Sequence, residues 1–249
     1  MKEDPSPFDW SPPAGKATGA AALCLHGLTG TPYEVRPIAS ALLAAGVRTR
    51  APWMAGHEGG HRTLAKTRYE DWVALAKDEL AALRNEHERV YLCGVSMGGA
   101  VSLRLAQTET VEGLVIVGVP LVFPAPLRFL LPIVKPFYRF RKKTGSDIRD
   151  PAAAARHPGL EAMPLASVAQ LIRLQAVVKA GLGSVTAPIL VTHGLLDRTA
   201  HPRDAGLIFG EVASKRKSLL YLERSGHVST VDYDGETLAI AARDFLLTR

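Results

Sequence analysis

The hydrophobic residues of this chain fall into short runs, separated by longer segments with the apolar periodicity of helices. The short runs lie at residues 21–27, 47–53, 89–94, 113–120, 187–194 and 218–224. The helical segments lie at residues 33–46, 69–87, 97–108, 202–211 and 234–248. Several runs are nearly continuous in Val, Ile and Leu, which is typical of strands that are covered on both faces. The pattern therefore predicts an α/β fold with a mostly parallel central sheet flanked by helices.

One long interval interrupts this alternation, between the strand that ends at Pro120 and the strand that begins near Pro188. A simple crossover between parallel strands needs far fewer residues. We interpret residues 121–183 as a cap insertion of short helices. Residues 1–120 and 184–249 then form the core of the same structural domain.

The composition is that of an ordinary globular protein, with 47% hydrophobic and 22% charged residues. No apolar run approaches the roughly 18 residues of a membrane span. The N-terminal residues mix acids and prolines and lack the apolar segment of a signal peptide. Cys24 and Cys93 lie inside apolar runs, so we expect buried thiols in a cytoplasmic protein.

The net charge of +6 is concentrated in basic clusters at residues 139–143 and 215–217. Such clusters are first interpreted as solvated surface. An alternative is attraction to anionic lipid headgroups, because residues 128–143 mix apolar, aromatic and basic side chains as an interfacial segment does. No motif for nucleic-acid binding accompanies the charge, so we expect no nucleic-acid partner. The sequence does not indicate an oligomeric state.

The sequence His-Glu-Gly-Gly-His at residues 57–61 fits the H-E-x-x-H pattern of zinc peptidases. That site needs His57 and His61 on adjacent turns of one helix, with a third ligand such as Asp78 or Glu79. Two glycines inside the helix would each cost roughly 1 kcal/mol relative to alanine. The segment also lacks apolar periodicity, so we interpret residues 56–61 as a loop at the carboxyl edge of the sheet and predict no metal or other cofactor.

Residues 94–98 read Gly-Val-Ser-Met-Gly, the G-x-S-x-G pattern, and they lie between a predicted strand and a predicted helix. In this context the serine occupies a tight strand-to-helix turn that exposes its hydroxyl above the sheet. Gly94 and Gly98 keep the turn free of side-chain clashes, and Gly99 lets the helix pack closely. The motif predicts Ser96 as a nucleophile; the alternative is a glycine-rich turn with an incidental serine.

A serine nucleophile needs a base to accept its proton. Asp197 and His227 each follow a predicted strand, so both should lie at the same carboxyl edge as Ser96. We predict His227 as the base and Asp197 as the acid that orients its ring, in the chain order Ser, Asp, His. Asp204 and Asp232 are the alternative acids.

The other histidines are weaker candidates for the base. His26 and His193 lie at strand ends, where we expect structural hydrogen bonds. His157 and His201 flank prolines in predicted loops, and His87 ends an exposed helix.

Hydrolysis through a tetrahedral intermediate also needs donors for its oxyanion. The first expected donor is the backbone N–H of Met97, which follows the nucleophile. The second is an N–H from the loop after the first strand, and Leu28 is the best-placed residue. Gly27 and Gly30 allow a tight turn in that loop.

Four segments, LHGLTGTPYEVRPIA, GVSMGG, LLDRTAHP and SGHVSTVDYDGE, together resemble the bacterial carboxylesterases and monoacylglycerol lipases of the α/β-hydrolase fold. The resemblance implies a catalytic triad of Ser96, Asp197 and His227, with the oxyanion hole at Leu28 and Met97. It also implies that Glu161, in the cap, contacts a glycerol headgroup; the alternative is a surface glutamate. The family usually carries Gly-His-Gly where this chain has Gly-His-Glu, so Glu58 departs from the pattern and puts the local turn in doubt.

The sequence thus predicts a cofactor-free serine hydrolase that cleaves carboxylic esters of medium or long acyl chains, such as monoacylglycerols, through an acyl-enzyme. A short-chain carboxylesterase or a thioesterase could use the same three side chains. A zinc peptidase through residues 57–61 and a non-catalytic binding module remain the alternatives from other classes.

Overall fold

A predominantly parallel sheet forms the centre of the fold. The computed structural model describes residues 1–122 and 138–248. The strands in chain order are β1 (Phe8–Trp10), β2 (Ala20–Leu25), β3 (Arg48–Ala51), β4 (Arg89–Val95), β5 (Gly113–Val117), β6 (Phe140–Lys142), β7 (Ala162–Pro164), β8 (Ile189–Gly194) and β9 (Lys217–Leu222). Within the described residues, one sheet has the order β1-β3-β2-β4-β5-β8-β9, and β6 pairs with β7 in a separate sheet. Among the described strands of the large sheet, β1 alone runs antiparallel to its neighbour.

Helices cover both faces of this sheet. In chain order, the helices of the described residues are α1 (Arg36–Ala44), α2 (Gly60–Leu64), α3 (Tyr69–Glu86), α4 (Met97–Ala106), α5 (Pro151–Arg156), α6 (Leu165–Ala180), α7 (Arg203–Glu211) and α8 (Gly235–Leu247). Short 3₁₀ turns lie at Pro32–Val35, Leu182–Ser184 and Ser229–Val231. Because α1 and α8 cover one face while α3, α4, α6 and α7 cover the other, the fold has three layers.

The alternation of side chains along the central strands divides the core between these layers. Leu23 and Leu92 pack toward α3 and α4, whereas Cys24 and Cys93 pack toward α1 and α8. Every residue of β2, β5 and β8 is buried. These are the nearly continuous apolar strands that the sequence pattern predicted, and the fold class is confirmed.

Two local features differ from the predictions. The segment at 33–46 begins with the 3₁₀ turn and becomes α-helical only at Arg36, with Pro37 in the first turn, where a missing N–H breaks no helical hydrogen bond. Strand β1 was missed, because three residues flanked by prolines carry no detectable period and pair only with the edge of β3.

The insertion contains a pair of strands that the sequence pattern did not predict, beside helices, which it did. Its described part holds the β6–β7 ladder, the short helix α5 and the 16-residue helix α6. Buried Leu171, Leu174 and Val178 of α6 join the main core, so this helix is partly a core element. Most of the predicted interfacial segment at 128–143 lies outside the described residues. No helix in the described ranges is both long enough and apolar enough to cross a bilayer.

Candidate active site

The turn between β4 and α4 holds Ser96 in a strained backbone conformation. Ser96 has φ 53° and ψ −114°, a region that a non-glycine residue rarely adopts. Its N–H donates to the Val117 carbonyl at 2.7 Å, and its carbonyl accepts from the Ala100 N–H at 3.0 Å. Such a conformation costs on the order of 1–3 kcal/mol and persists because neighbouring contacts impose it.

The glycines of the motif are required by close backbone contacts. A Cβ on Gly98 would overlap the carbonyl of Leu25, at the end of β2. A Cβ on Gly94 would overlap the Gly98 backbone, and one on Gly99 would meet the Val119 side chain. The turn therefore fits between two strands only when these three positions lack side chains.

His227 lies on the loop after β9 and reaches across the sheet edge to Ser96. Its Nε2 lies 2.9 Å from the Ser96 Oγ, and its Nδ1 lies 2.7 Å from the Asp197 Oδ2. Since a carboxylate only accepts, the Nδ1 proton points to Asp197 and leaves Nε2 as the acceptor for the serine hydroxyl. The structure thus joins the three predicted side chains in one hydrogen-bonded chain.

Asp197, on the loop after β8, is held by more contacts than the sequence indicated. Its Oδ1 accepts from the Thr199 and Ala200 amides at 2.7 and 2.8 Å. Its Oδ2 accepts from His227 and also from His193 Nε2 at 2.9 Å. The predicted structural hydrogen bond of His193 therefore goes to the candidate acid itself. The sequence signal that could have indicated this contact is the spacing of four residues between His193 and Asp197.

The pKa values of this pair follow from burial and from their mutual interaction. Burial alone would raise the pKa of Asp197, but the His227 charge and the hydrogen bonds from both imidazoles hold it well below its ordinary value. Burial alone would lower the pKa of His227, but the Asp197 carboxylate outweighs burial and raises it. Asp197 is therefore ionised at neutral pH and stabilises the imidazolium form of His227.

The two predicted oxyanion donors flank the serine. Met97 is the first residue of α4, and Leu28 lies on the loop after β2 and lines the same cavity as Ser96 and His227. Neither backbone N–H donates to an acceptor in the part of the chain that the structure describes. As far as the described residues show, both N–H groups can therefore donate to the oxygen of a bound ligand.

A cavity of about 370 Å³ opens beside Ser96. The insertion supplies an apolar part of its lining, and basic side chains supply another part. The apolar residues from the insertion are Met163, Leu165, Val168 and Leu171, and the basic residues are Arg141, Lys143 and Arg198. The cavity can therefore hold a ligand with an apolar portion next to the serine hydroxyl.

A family model described as serine aminopeptidase, S33, matches residues 16–234. The chain belongs to this family. The predicted resemblance to α/β-hydrolase carboxylesterases and lipases is confirmed by this match and by curated relatives.

Two relatives and one solved structure are similar over most of the chain. A thermostable monoacylglycerol lipase of Bacillus sp. (strain H-257) is 32% identical over 218 residues, 85% of this chain and 84% of the relative. A carboxylesterase of Bacillus subtilis (strain 168) is 28% identical over 246 residues, 97% of this chain and 96% of the relative. A solved structure from work on LipS and LipT, two metagenome-derived lipolytic enzymes, superposes with a TM-score of 0.91 at 25% identity and covers all of both chains.

The alternative acids of this S33 family member have other partners. The Asp204 Oδ2 accepts from the amides of Leu121 and Val122, at the start of the insertion. The Asp232 carboxylate accepts from the amides of Gly226 and Arg149, among others, and so holds the loop that carries His227. Each acid fixes a loop beside the site, and neither contacts the His227 ring.

Glu161 lies away from the serine. It is exposed and lines a neighbouring cavity, not the one beside Ser96. The two cavities share Lys143, Gly145 and Ser146 in their linings. A contact between Glu161 and the polar end of a substrate stays a prediction.

The prediction of a loop at residues 56–61 is wrong for its last two residues, because α2 begins at Gly60. Gly60 has φ 72°, which only glycine adopts readily, and this turn starts the helix. His57 precedes the helix and is buried, with Nδ1 3.0 Å from the Met54 carbonyl. Burial lowers the pKa of His57 to about 3. His57 and His61 do not share a helix, so the zinc-peptidase geometry is not formed; Glu58 is exposed at this turn.

We expect Asp197→Asn to lower the pKa of His227, because the carboxylate that favours the imidazolium is lost while burial remains. An NMR titration of the imidazole nitrogens would measure the shift, with Asp71→Asn on distant α3 as the control. A His227 pKa that is unchanged or higher in Asp197→Asn would contradict this account of the pair.

Proposed function

We propose that this chain is a serine hydrolase that cleaves carboxylic esters of acyl groups through an acyl-enzyme on Ser96. The observation that carries the proposal is the hydrogen-bonded chain from Ser96 through His227 to Asp197, at 2.9 and 2.7 Å, beside a partly apolar cavity. The relatives named monoacylglycerol lipase and carboxylesterase support the same reaction class.

In the first half-reaction, the Ser96 Oγ attacks the ester carbonyl carbon while its proton passes to His227 Nε2. The carbonyl oxygen becomes an oxyanion, for which the amides of Leu28 and Met97 are the proposed donors. Each such donor contributes about 3–4 kcal/mol to stabilising the transition state in comparable enzymes. His227 then gives its proton to the leaving alcohol oxygen as the C–O bond breaks, and the acyl group remains on Ser96.

In the second half-reaction, water replaces the alcohol. His227 accepts a proton from the water, whose oxygen attacks the acyl carbon, and later returns that proton to the Ser96 Oγ as the acid departs. Asp197 stays ionised throughout and stabilises the imidazolium that forms twice in each cycle. The fixed bonds from His193, Thr199 and Ala200 keep the carboxylate in place during these transfers.

The lining of the cavity favours acyl chains of medium or long length. Val168 and Leu171, from α6, and Met163, from β7, offer an apolar surface for methylene groups. Each CH₂ moved from water to such a surface contributes about 0.8 kcal/mol. Monoacylglycerols combine such a chain with a polar leaving group. A short-chain carboxylesterase would use the same three side chains without this surface, whereas a thioesterase would use both.

We expect Ser96→Ala to lose roughly 10⁴- to 10⁶-fold in kcat for ester hydrolysis and all covalent labelling by a fluorophosphonate, because both need the Oγ nucleophile. Ser102→Ala, which removes a buried hydroxyl bonded to the Gly98 carbonyl two turns into α4, is the matched control and should keep both. An enzyme that labels equally well without the Ser96 hydroxyl would contradict the proposal.

An acyl-length series of glycerol monoesters should show kcat/KM rising from the acetyl toward the decanoyl ester, because each methylene contacts the apolar lining. Val168→Trp, which fills part of that lining, should reduce kcat/KM for the decanoyl ester and spare the acetyl ester. A series that peaks at acetyl would favour the short-chain alternative. Thioester substrates, assayed in parallel, test the thioesterase alternative. Amino-acid anilides test the aminopeptidase activity for which the family is described.

We further propose that the insertion contacts lipid surfaces transiently. Tyr138 and Phe140 are exposed aromatic residues, and Arg139 and Lys142 are exposed beside them. Aromatic and basic side chains together favour an anionic bilayer interface. This surface adjoins the Ser96 cavity, since Arg141 of the same strand lines it. No nucleic-acid partner is proposed, and the cytoplasmic location stays a prediction.

We expect the double reversal Arg139→Glu with Lys142→Glu to weaken binding to phosphatidylglycerol vesicles roughly tenfold or more, since each basic residue near the surface contributes about 1 kcal/mol. The control Lys16→Glu with Lys215→Glu changes the net charge equally, on exposed residues outside the insertion. Vesicle sedimentation measures both. Equal losses of vesicle binding in the two variants would show that binding depends on net charge alone, and would contradict a specific lipid-facing surface.

A further inference from the structure

Glu34 places a buried carboxylate inside the loop that carries the Leu28 amide. It lies on the 3₁₀ turn after this loop, and its side chain folds back so that Oε2 accepts from the Gly27 N–H at 2.9 Å. A Cβ on Gly30 would overlap the Glu34 carboxylate, although Gly30 itself has no positive φ. Gly30 is therefore required by the Glu34 side chain, and not by the turn.

The second oxygen of Glu34 binds a histidine from the insertion. His157 Nε2 lies 3.0 Å from Glu34 Oε1, and the two side chains are 2% and 5% exposed. The Gly159 N–H donates to His157 Nδ1, which places the proton of the neutral ring on Nε2, toward the carboxylate. The Ser146 Oγ, also from the insertion, lies 2.8 Å from the same Nδ1.

The insertion holds this loop at a second point. Thr29, next to Leu28, has φ 61°, an unfavourable conformation for a β-branched residue. Its carbonyl accepts from the Leu160 N–H at 2.8 Å, and its Oγ1 accepts from Lys143 Nζ at 2.9 Å. Contacts from the insertion therefore restrain the residue after Leu28, while Glu34 restrains the residue before it.

A buried charge is a poor means of stabilising a fold, because desolvation opposes the gain from pairing. Burial alone would raise the pKa of Glu34, but the hydrogen bonds from His157 and Gly27 lower it to about 2. The carboxylate is thus ionised next to the nucleophile, yet it has no part in the triad. Its two oxygens join the loop that carries the Leu28 amide, through the Gly27 N–H, to His157 of the insertion.

We propose that Glu34 and His157 are positioning residues, through which the insertion aligns the Leu28 N–H with the developing oxyanion. The direction of that N–H depends on the backbone torsions at Gly27 and Leu28. The hydrogen bonds to Gly27 and Thr29 fix these torsions before substrate binds. The inference rests on the proposed function, because it assigns the loop a role in ester hydrolysis.

The test compares Glu34→Gln with the wild type in three measurements. Glutamine keeps the shape of the side chain but loses the charge, and its NH₂ group must face either the Gly27 N–H or the His157 Nε2–H, both of which are donors. We expect kcat to fall about tenfold to a hundredfold, with KM changed less than threefold. The inhibition constant of an alkyl trifluoromethyl ketone, which adds to the Ser96 Oγ to form a tetrahedral oxyanion, should rise by the same factor as kcat falls. Binding of the matching alkyl ether should not change.

Lys143→Met covers the case in which Glu34→Gln does not fold, since it removes the hydrogen bond to Thr29, keeps an unbranched side chain in the cavity lining and leaves the Glu34–His157 pair in place. It should show the same linked loss of kcat and ketone affinity, at a smaller size. Ser167→Ala is the structural control: it breaks a buried hydrogen bond from α6 to the Leu64 carbonyl and touches no residue of the loop. It should lower the melting temperature while kcat and ketone affinity stay unchanged.

The outcomes separate this inference from the proposed function. Variants of Glu34 and Lys143 that lose thermal stability but keep kcat and ketone affinity would overturn the positioning role. An equal loss of kcat and ketone affinity in Ser167→Ala would also overturn the positioning role, because the effect would then follow from a general loss of stability. If the wild-type protein neither hydrolyses esters nor binds the ketone, the proposed function itself fails.

Discussion

The backbone conformation of Ser96 is the constraint on which the site depends. A residue at positive φ between a buried strand and a helix is unfavourable, and it persists only because the surrounding contacts leave no alternative. Gly98 packs against the carbonyl of Leu25, so the turn is tied to the strand whose following loop carries Leu28. The position of the nucleophile and that of the proposed oxyanion loop are therefore coupled through one backbone contact.

Buried carboxylates that accept backbone amides hold the other loops at this edge of the sheet. Asp197 accepts from two amides in its own loop, and Asp232 binds the loop of His227 to the insertion. Asp204 binds the start of the insertion, and Glu34 binds the loop after β2. Each carboxylate satisfies donors that a loop would otherwise leave buried without partners. Loops that are usually mobile are thereby fixed where hydrogen-bond distances matter for chemistry.

The insertion has three separate roles in this arrangement. Helix α6 completes the core with Leu174 and Val178, while Val168 on the same helix lines the cavity beside Ser96. The segment around His157 contacts Glu34, whose carboxylate binds the loop that carries the proposed oxyanion donor. Core packing, the apolar lining of the cavity and the proposed alignment of the loop therefore depend on one inserted segment, so a substitution there changes the stability of the fold or the shape of the site.

The sequence by itself determined the elements whose signals are local. Continuous apolar runs predicted the parallel strands, and Gly-x-Ser-x-Gly between a strand and a helix predicted the turn at Ser96. The carboxyl ends of parallel strands share one edge, so the meeting of Ser96, Asp197 and His227 followed from topology. Short β1 was missed, because three residues carry no period.

Only the tertiary structure decided the contacts that join distant segments. The pair of Glu34 and His157 brings together residues 123 positions apart in the chain, and nothing in the sequence around either residue indicated that the two side chains meet. The same holds for the bond between Lys143 and Thr29, and for the separation of Glu161 from Ser96. Side-chain partners across an insertion depend on how its segments fold back onto the core, and hydrophobic periodicity contains no information about that geometry.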